Sequence, residues 1–175
     1  MEILLLALFL AIVFIVVVSF AQRSEPLAVG KAAPYFTLQN QHGDVASLPA
    51  KNKKTVIAFF PRDDTSRCIT EVQDFMRLKS EFARHGWDIL LVAISNVADN
   101  KAFADRHSFD LPLLADEKGK VSRIYGSIID FWFYRFAKRT TYLISADGFV
   151  VGSYVVAEPV GHVEQLLNDI QLLGC

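Results

Sequence analysis

The sequence predicts a mixed α/β fold, one sheet with helices on both faces, set behind an N-terminal apolar helix. Three observations carry this. Two short apolar runs, Thr55–Phe60 and Trp87–Ile94, are rich in β-branched and aromatic residues and read as buried strands. Between them, Ile69, Val72, Phe75, Met76, Leu78 and Phe82 recur at spacings of three and four, the signature of one helix face. Towards the C-terminus, Thr140–Ile144 and Phe149–Val156 flank Ala146-Asp147-Gly148, which reads as a hairpin turn.

The first segment stands apart. Ile3 to Val18 is an unbroken apolar run, and the only charge before Gln22 is Glu2. Such a helix nearly spans the ~30 Å hydrocarbon core of a bilayer, and it lacks the polar face of a buried soluble helix. Residues 1–21 are therefore expected to be a single-pass transmembrane anchor. The alternative is a signal segment cut near Ala21, since Ser19-Phe20-Ala21 is a small-x-small site; Met1-Glu2 lacks the basic start such a segment usually has. Arg23 and Lys31 are too few to set the side of the membrane. Residues 22–29 read as a polar tether and 30–175 as one domain, roughly 150 residues with a core of their own.

Within that domain, Phe36-Thr37-Leu38 and Val45–Leu48 around Gln41–Asp44 predict a small N-terminal hairpin. Thr65 or Ser66 caps the helix that follows the first strand, and Gly86 stops it. Ala98–His107 predicts a helix with Phe103 inward. Leu111–Leu114 is extended because Pro112 keeps its predecessor out of helical angles. Glu117–Tyr125 reads as a short helix ending at Gly126, and Val160–Leu173 as a closing helix with Val163, Leu166, Leu167 and Ile170 on one face.

The chain has 18 basic and 19 acidic residues, so no basic excess suggests a nucleic-acid partner. Its two cysteines, Cys68 and Cys175, belong to no C-x-x-C pair and have no histidine at zinc-ligand spacing, so neither a metal nor a cofactor is expected. Asp63-Asp64 reads as a solvated loop. His42, His85, His107 and His162 are scattered and read as surface residues. Phe131–Phe136 is unusually aromatic; it packs in the core or roofs the cysteine, or rests on a bilayer interface beside Arg135 and Lys138.

Cys68 falls in the first turn of a helix directly after a strand, where unpaired N–H groups and the helix dipole favour a thiolate. It reads either as a reactive thiol or as a small buried hydrophobe. Thr65 reads alone as an N-cap, Pro61 as a strand terminator and Arg139 as a solvated strand end.

Three motifs change that balance. Gly30-Lys31-Ala32-Ala33-Pro34-Tyr35-Phe36-Thr37-Leu38 resembles the G-x-x-A-P-x-F-x-L opening of the redoxins. Pro61-x-x-x-Thr65-x-x-Cys68 resembles the peroxiredoxin active-site motif, and Arg139-Thr140-Thr141-Tyr142-Leu143-Ile144 the segment that brings in its arginine. The spacing is similar to the bacterioferritin-comigratory or Q type of peroxiredoxin, and the likeness covers about residues 27–156. It implies a thioredoxin-like fold and a thiol-dependent peroxidase. Cys68 would be the nucleophile that passes to a sulfenic acid, Thr65 and Arg139 would stabilise the transition state, and Pro61 would shape the pocket. The resemblance also implies hydrogen peroxide or a small organic hydroperoxide as substrate, thioredoxin, glutaredoxin or a small thiol as reductant, and a homodimer as an assembly to consider. Three departures stand out. Ser66-Arg67 replaces the usual Pro-Gly, adding both charge and bulk. Gln73 stands where the close subgroup often has a second cysteine. Cys175, the remaining candidate resolving residue, ends the chain, so a one-cysteine enzyme is expected. Glu71 reads as an early-helix carboxylate with no catalytic duty. The rival reading is a non-enzymatic, membrane-tethered thioredoxin-fold module for redox sensing or binding.

Overall fold

A computed structural model describes residues 2–21, 24–61, 65–131 and 134–173. In chain order the elements are α1 (Glu2–Ala21), β1 (Phe36–Gln39), β2 (Val45–Leu48), β3 (Lys54–Phe59), α2 (Ser66–Arg84), β4 (Trp87–Ala93), α3 (Val97–His107), β5 (Leu113–Ala115), α4 (Lys120–Ile124), β6 (Ile128–Phe131), β7 (Tyr134–Ala137), β8 (Thr140–Ile144), β9 (Val150–Val155) and α5 (His162–Leu173). The expected elements therefore form, with ends shifted by a few residues. Leu113–Ala115 joins the sheet as its edge strand, and β6–β7 is an antiparallel hairpin where only an aromatic segment was expected.

The central sheet has the order β5-β4-β3-β8-β9, with β1–β2 and β6–β7 as separate hairpins. β4 runs parallel to β3 and β8 antiparallel to it, so the sheet is mixed as expected. Strand alternation sorts its side chains into two cores. Val56, Ala58, Phe60 and Leu143 pack with α2, α3 and α5. Ile57, Phe59, Tyr142 and Ile144 pack with α4, Tyr125 and the N-terminal hairpin. Two residues ahead of the domain are tied to it: Ser24 Oγ donates to the Ile128 carbonyl and Leu27 N to the Tyr142 hydroxyl. Gly126, at φ +66°, has the Glu25 carbonyl where a Cβ would stand, so a larger residue there would push the tether away.

The expected transmembrane span is not supported by the structure. Among the described residues no helix is long and apolar enough to cross a membrane.

Candidate active site

The site lies where β3 ends and α2 begins. Because β3 pairs antiparallel with β8 through Phe59 and Thr140, the residue before Thr140 falls beside Phe60 and Pro61. That residue is Arg139. Sequence-distant groups thus meet by register alone.

Thr65 caps α2 from extended backbone, its Oγ1 accepting from Cys68 N at 3.5 Å. The cap fixes the first turn and turns Cys68 inward. Cys68 is fully buried, and its thiol donates to the Pro61 carbonyl. Arg139 Nη2 donates to Cys68 Sγ at 3.1 Å, while its Nη1 donates to Glu71 Oε2. Pro61, Thr65 and Arg139 thus all meet Cys68. Cys175 and Asp63-Asp64 lie outside the described residues, as do Trp132 and Phe133 of the aromatic run. Arg67 turns to Glu158 on the loop before α5, with 3.4 Å between Nη2 and Oε2.

Two residues carry more than the sequence reading gave them. Glu71 is buried, with its side chain only 2% exposed, and forms an ion pair with Arg139. Its other oxygen, Oε1, has no hydrogen-bond partner among the described residues. The signal was its place three residues after Cys68, which puts both on one helix face. His162 is not a surface residue: it is buried, and its Nε2 shares a hydrogen bond with Thr141 Oγ1 at 3.0 Å. Burial, followed by the charge of Arg139, pushes the imidazole down from 6.5 to about 4, partly offset by Asp169. It is thus neutral at pH 7. Its place at the head of an amphipathic helix gave no sign of this, because which way that turn faces is set by the loop before it.

A guanidinium donating to a sulfur at a helix N-terminus favours the ionised thiol and offers a second N–H to an oxygen bound there. Residues 29–153 match the AhpC/TSA family. The chain belongs to that family. A protein named putative peroxiredoxin Bcp from Coxiella burnetii is 30% identical over 151 residues, covering 82% of this chain and 99% of that one. Chloroplastic peroxiredoxin Q of Populus jackii is 30% identical over 146 residues, 82% of this chain and 68% of that protein. Among solved structures, peroxidoxin BcpB from Mycobacterium tuberculosis superposes with a TM-score of 0.77 at 25% identity, covering 83% of this chain and 97% of that one. The bacterioferritin comigratory protein of Xanthomonas campestris, described by its alkyl peroxide reduction activity, gives 0.74 at 28% identity, with 80% and 92% covered. The fold is the thioredoxin-like one these peroxiredoxins share, and the chain is a peroxiredoxin akin to the bacterioferritin-comigratory and Q types. As a peroxiredoxin it is an enzyme of the thiol-dependent peroxidase class.

Proposed function

We propose that this peroxiredoxin reduces hydrogen peroxide or a small organic hydroperoxide through Cys68. The observation that carries this reading is the Arg139 Nη2 to Cys68 Sγ contact at 3.1 Å. The ionised sulfur attacks one peroxide oxygen, forming an S–O bond as the O–O bond breaks; the other oxygen leaves as water or an alcohol after taking a proton. Sulfur is oxidised by two electrons to the sulfenic acid. A thiol then condenses with it, releasing water, and a second thiol resolves the mixed disulfide. Arg139 stabilises the sulfur once its proton is lost and meets the charge that develops on the oxygens. Glu71 accepts the other arm of the guanidinium and fixes its aim. Pro61, whose carbonyl meets the sulfur, and Thr65, which caps the first turn of α2, hold the chain on either side of it. With Gln73 in place of a second cysteine on α2, the reductant is an external thiol, thioredoxin, glutaredoxin or a small thiol, unless Cys175 resolves.

Because Cys68 has no exposed surface, substrate entry requires groups around the sulfur, such as Pro61 or the first turn of α2, to shift. That burial is the one observation favouring the rival, a slowly oxidised sensor. Rapid mixing separates the two: the enzyme consumes one peroxide per chain without reductant within seconds, Cys68→Ser abolishes this and Cys175→Ser does not. A wild type that leaves peroxide intact on that timescale sinks the enzymatic reading. A Cys68–Cys175 disulfide found by mass spectrometry after peroxide would replace the one-cysteine cycle by an internal one.

Membrane attachment rests on the sequence of α1, supported by large apolar side chains that stand exposed all along its described part, among them Leu5, Leu8, Phe9, Ile12 and Ile15. Such surface needs an apolar environment. The anchored form stays in the pellet after alkaline carbonate extraction; recovery of the full chain in the supernatant would rule the anchor out.

A further inference from the structure

Behind Arg139 the core turns polar without need. The other inward residues of α5, Val163, Leu166 and Ile170, are aliphatic and fully buried, and packing alone would put another such residue at 162. Instead His162 reaches β8. Its partner Thr141 lies two residues from Arg139 on the same face of that strand, and it is itself fully buried. Thr141 pairs across the strands with Tyr154 of β9. The Tyr154 ring meets the imidazole edge-on, centroids 5.8 Å apart, and its hydroxyl donates to Asp169 Oδ2 at 2.7 Å further along α5. Thr141, Tyr154 and His162 thus form a wedge one side-chain step behind the guanidinium, closed on its far side by Asp169.

The groups facing His162 are Arg139 before β8, Tyr154 on β9 and Asp169 on its own helix. Glu71 on α2 reaches the cluster only through Arg139. A cation at position 162 would repel Arg139, and an aliphatic side chain would leave the Thr141 hydroxyl buried without this partner. A neutral imidazole avoids both penalties.

We propose that His162 is a positioning residue for Arg139: bonded to Thr141, it fixes the wall against which the guanidinium is held on Cys68. This rests on the reading that Arg139 and Cys68 act on peroxide. The consequence is selective. Alkylation of Cys68 by neutral iodoacetamide asks only for an ionised, reachable sulfur, whereas peroxide reduction also asks for a correctly aimed guanidinium.

The test follows both rates across pH on the full chain and compares their plateaux above the Cys68 titration, where ionisation no longer depends on Arg139, for wild type, His162→Leu, His162→Gln and Thr141→Val. Small misplacements at a reacting centre cost up to about 100-fold, so His162→Leu and Thr141→Val should slow peroxide reduction at least about 10-fold with alkylation within about 2-fold of wild type. His162→Gln, whose amide can still reach Thr141, should recover most of the loss. The proposal is overturned if His162→Leu and Thr141→Val reduce peroxide at the wild-type rate. It is equally overturned if both rates fall together and Gln rescues no better than Leu, which is the behaviour of a merely structural residue. Thr141→Val keeps the question answerable should His162→Leu fail to fold. A wild type that is itself inactive removes the reading of Cys68 and Arg139 and this inference with it; an active wild type beside an unimpaired pair of variants removes this inference alone.

Discussion

The two faces of β8 carry two buried polar networks of opposite character. On one face Thr140 donates to Ser127 Oγ, and the Tyr142 hydroxyl donates to the Tyr125 carbonyl. There the Tyr125 hydroxyl donates to the Pro34 carbonyl at 2.8 Å. Every member is neutral, and together they stitch the tether and the α4 region to the sheet. On the other face stand Arg139, Thr141 and His162, with Glu71 opposite. That network is charged and incomplete: one carboxylate oxygen has no partner among the described residues, and one guanidinium arm is aimed at a sulfur. Neutral hydroxyls satisfy one another and end the matter. A cation largely withdrawn from water must be answered, and here the answer is divided between a carboxylate and the group that is to react.

The widest separation between the faces is expected from Arg139→Lys set against Tyr142→Phe. Lysine keeps a charge for Glu71 but loses the planar fork that serves sulfur and carboxylate at once. Losing one preorganised donor typically lowers the rate by about 10²–10³, and that loss should appear in single-turnover peroxide reduction. Tyr142→Phe removes a hydrogen-bonded hydroxyl and should cost about 1–2 kcal/mol of stability in urea unfolding while leaving the peroxide rate alone. If Tyr142→Phe slowed the reaction as much as Arg139→Lys, the two networks would be one.

Acid should also tell the faces apart. The folded protein holds His162 at about 4 against an ordinary 6.5. Between those values the unfolded chain takes up a proton that the folded chain refuses. Stability is therefore fully present above pH 6.5 and is lost as the pH falls towards 4, by at most about 3 kcal/mol. The network on the opposite face is built of hydroxyls and carbonyls, and burial raises the Tyr125 hydroxyl further above its alkaline value. Unfolding at pH 7 and pH 4.5 should show His162→Gln losing less stability than wild type. Equal losses would mean that the imidazole is charged or solvated at neutral pH.

The asymmetry also explains what the sequence revealed. The strand, capped turn and helix around Cys68 were legible because periodicity and capping are local, and Arg139 because its motif resembles a family pattern. The two networks were not. Thr140–Ile144 is buried along its whole length, so no alternation of polar and apolar residues marks its faces. Glu71 looked like an ordinary first-turn carboxylate because its counter-charge is 68 residues away. His162 looked exposed because polarity alone was the guide, and its partner Thr141 is likewise distant in the chain. The aromatic stretch became a hairpin because Ile128–Phe131 and Tyr134–Ala137 pair directly, a pairing that composition does not announce. Local physics was readable, and long-range pairing of buried polar groups was not.

The smallest effect is expected at the mouth of the charged network. Arg67 replaces a small residue of the family pattern and adds charge and bulk beside the sulfur. Its guanidinium instead pairs with Glu158, and the two side chains are 64% and 56% exposed. An exposed pair of this kind contributes about 0–1 kcal/mol and is screened by salt, so Arg67→Gly should change the single-turnover peroxide rate by no more than about 3-fold. The residual effect should shrink further as salt is raised, because only the pairing with Glu158 is being removed. An acceleration beyond about 10-fold would carry a different meaning. It would show that Arg67, and not Pro61 with the first turn of α2, holds the sulfur shut. The charged face of β8 would then be governed from its rim rather than from its core.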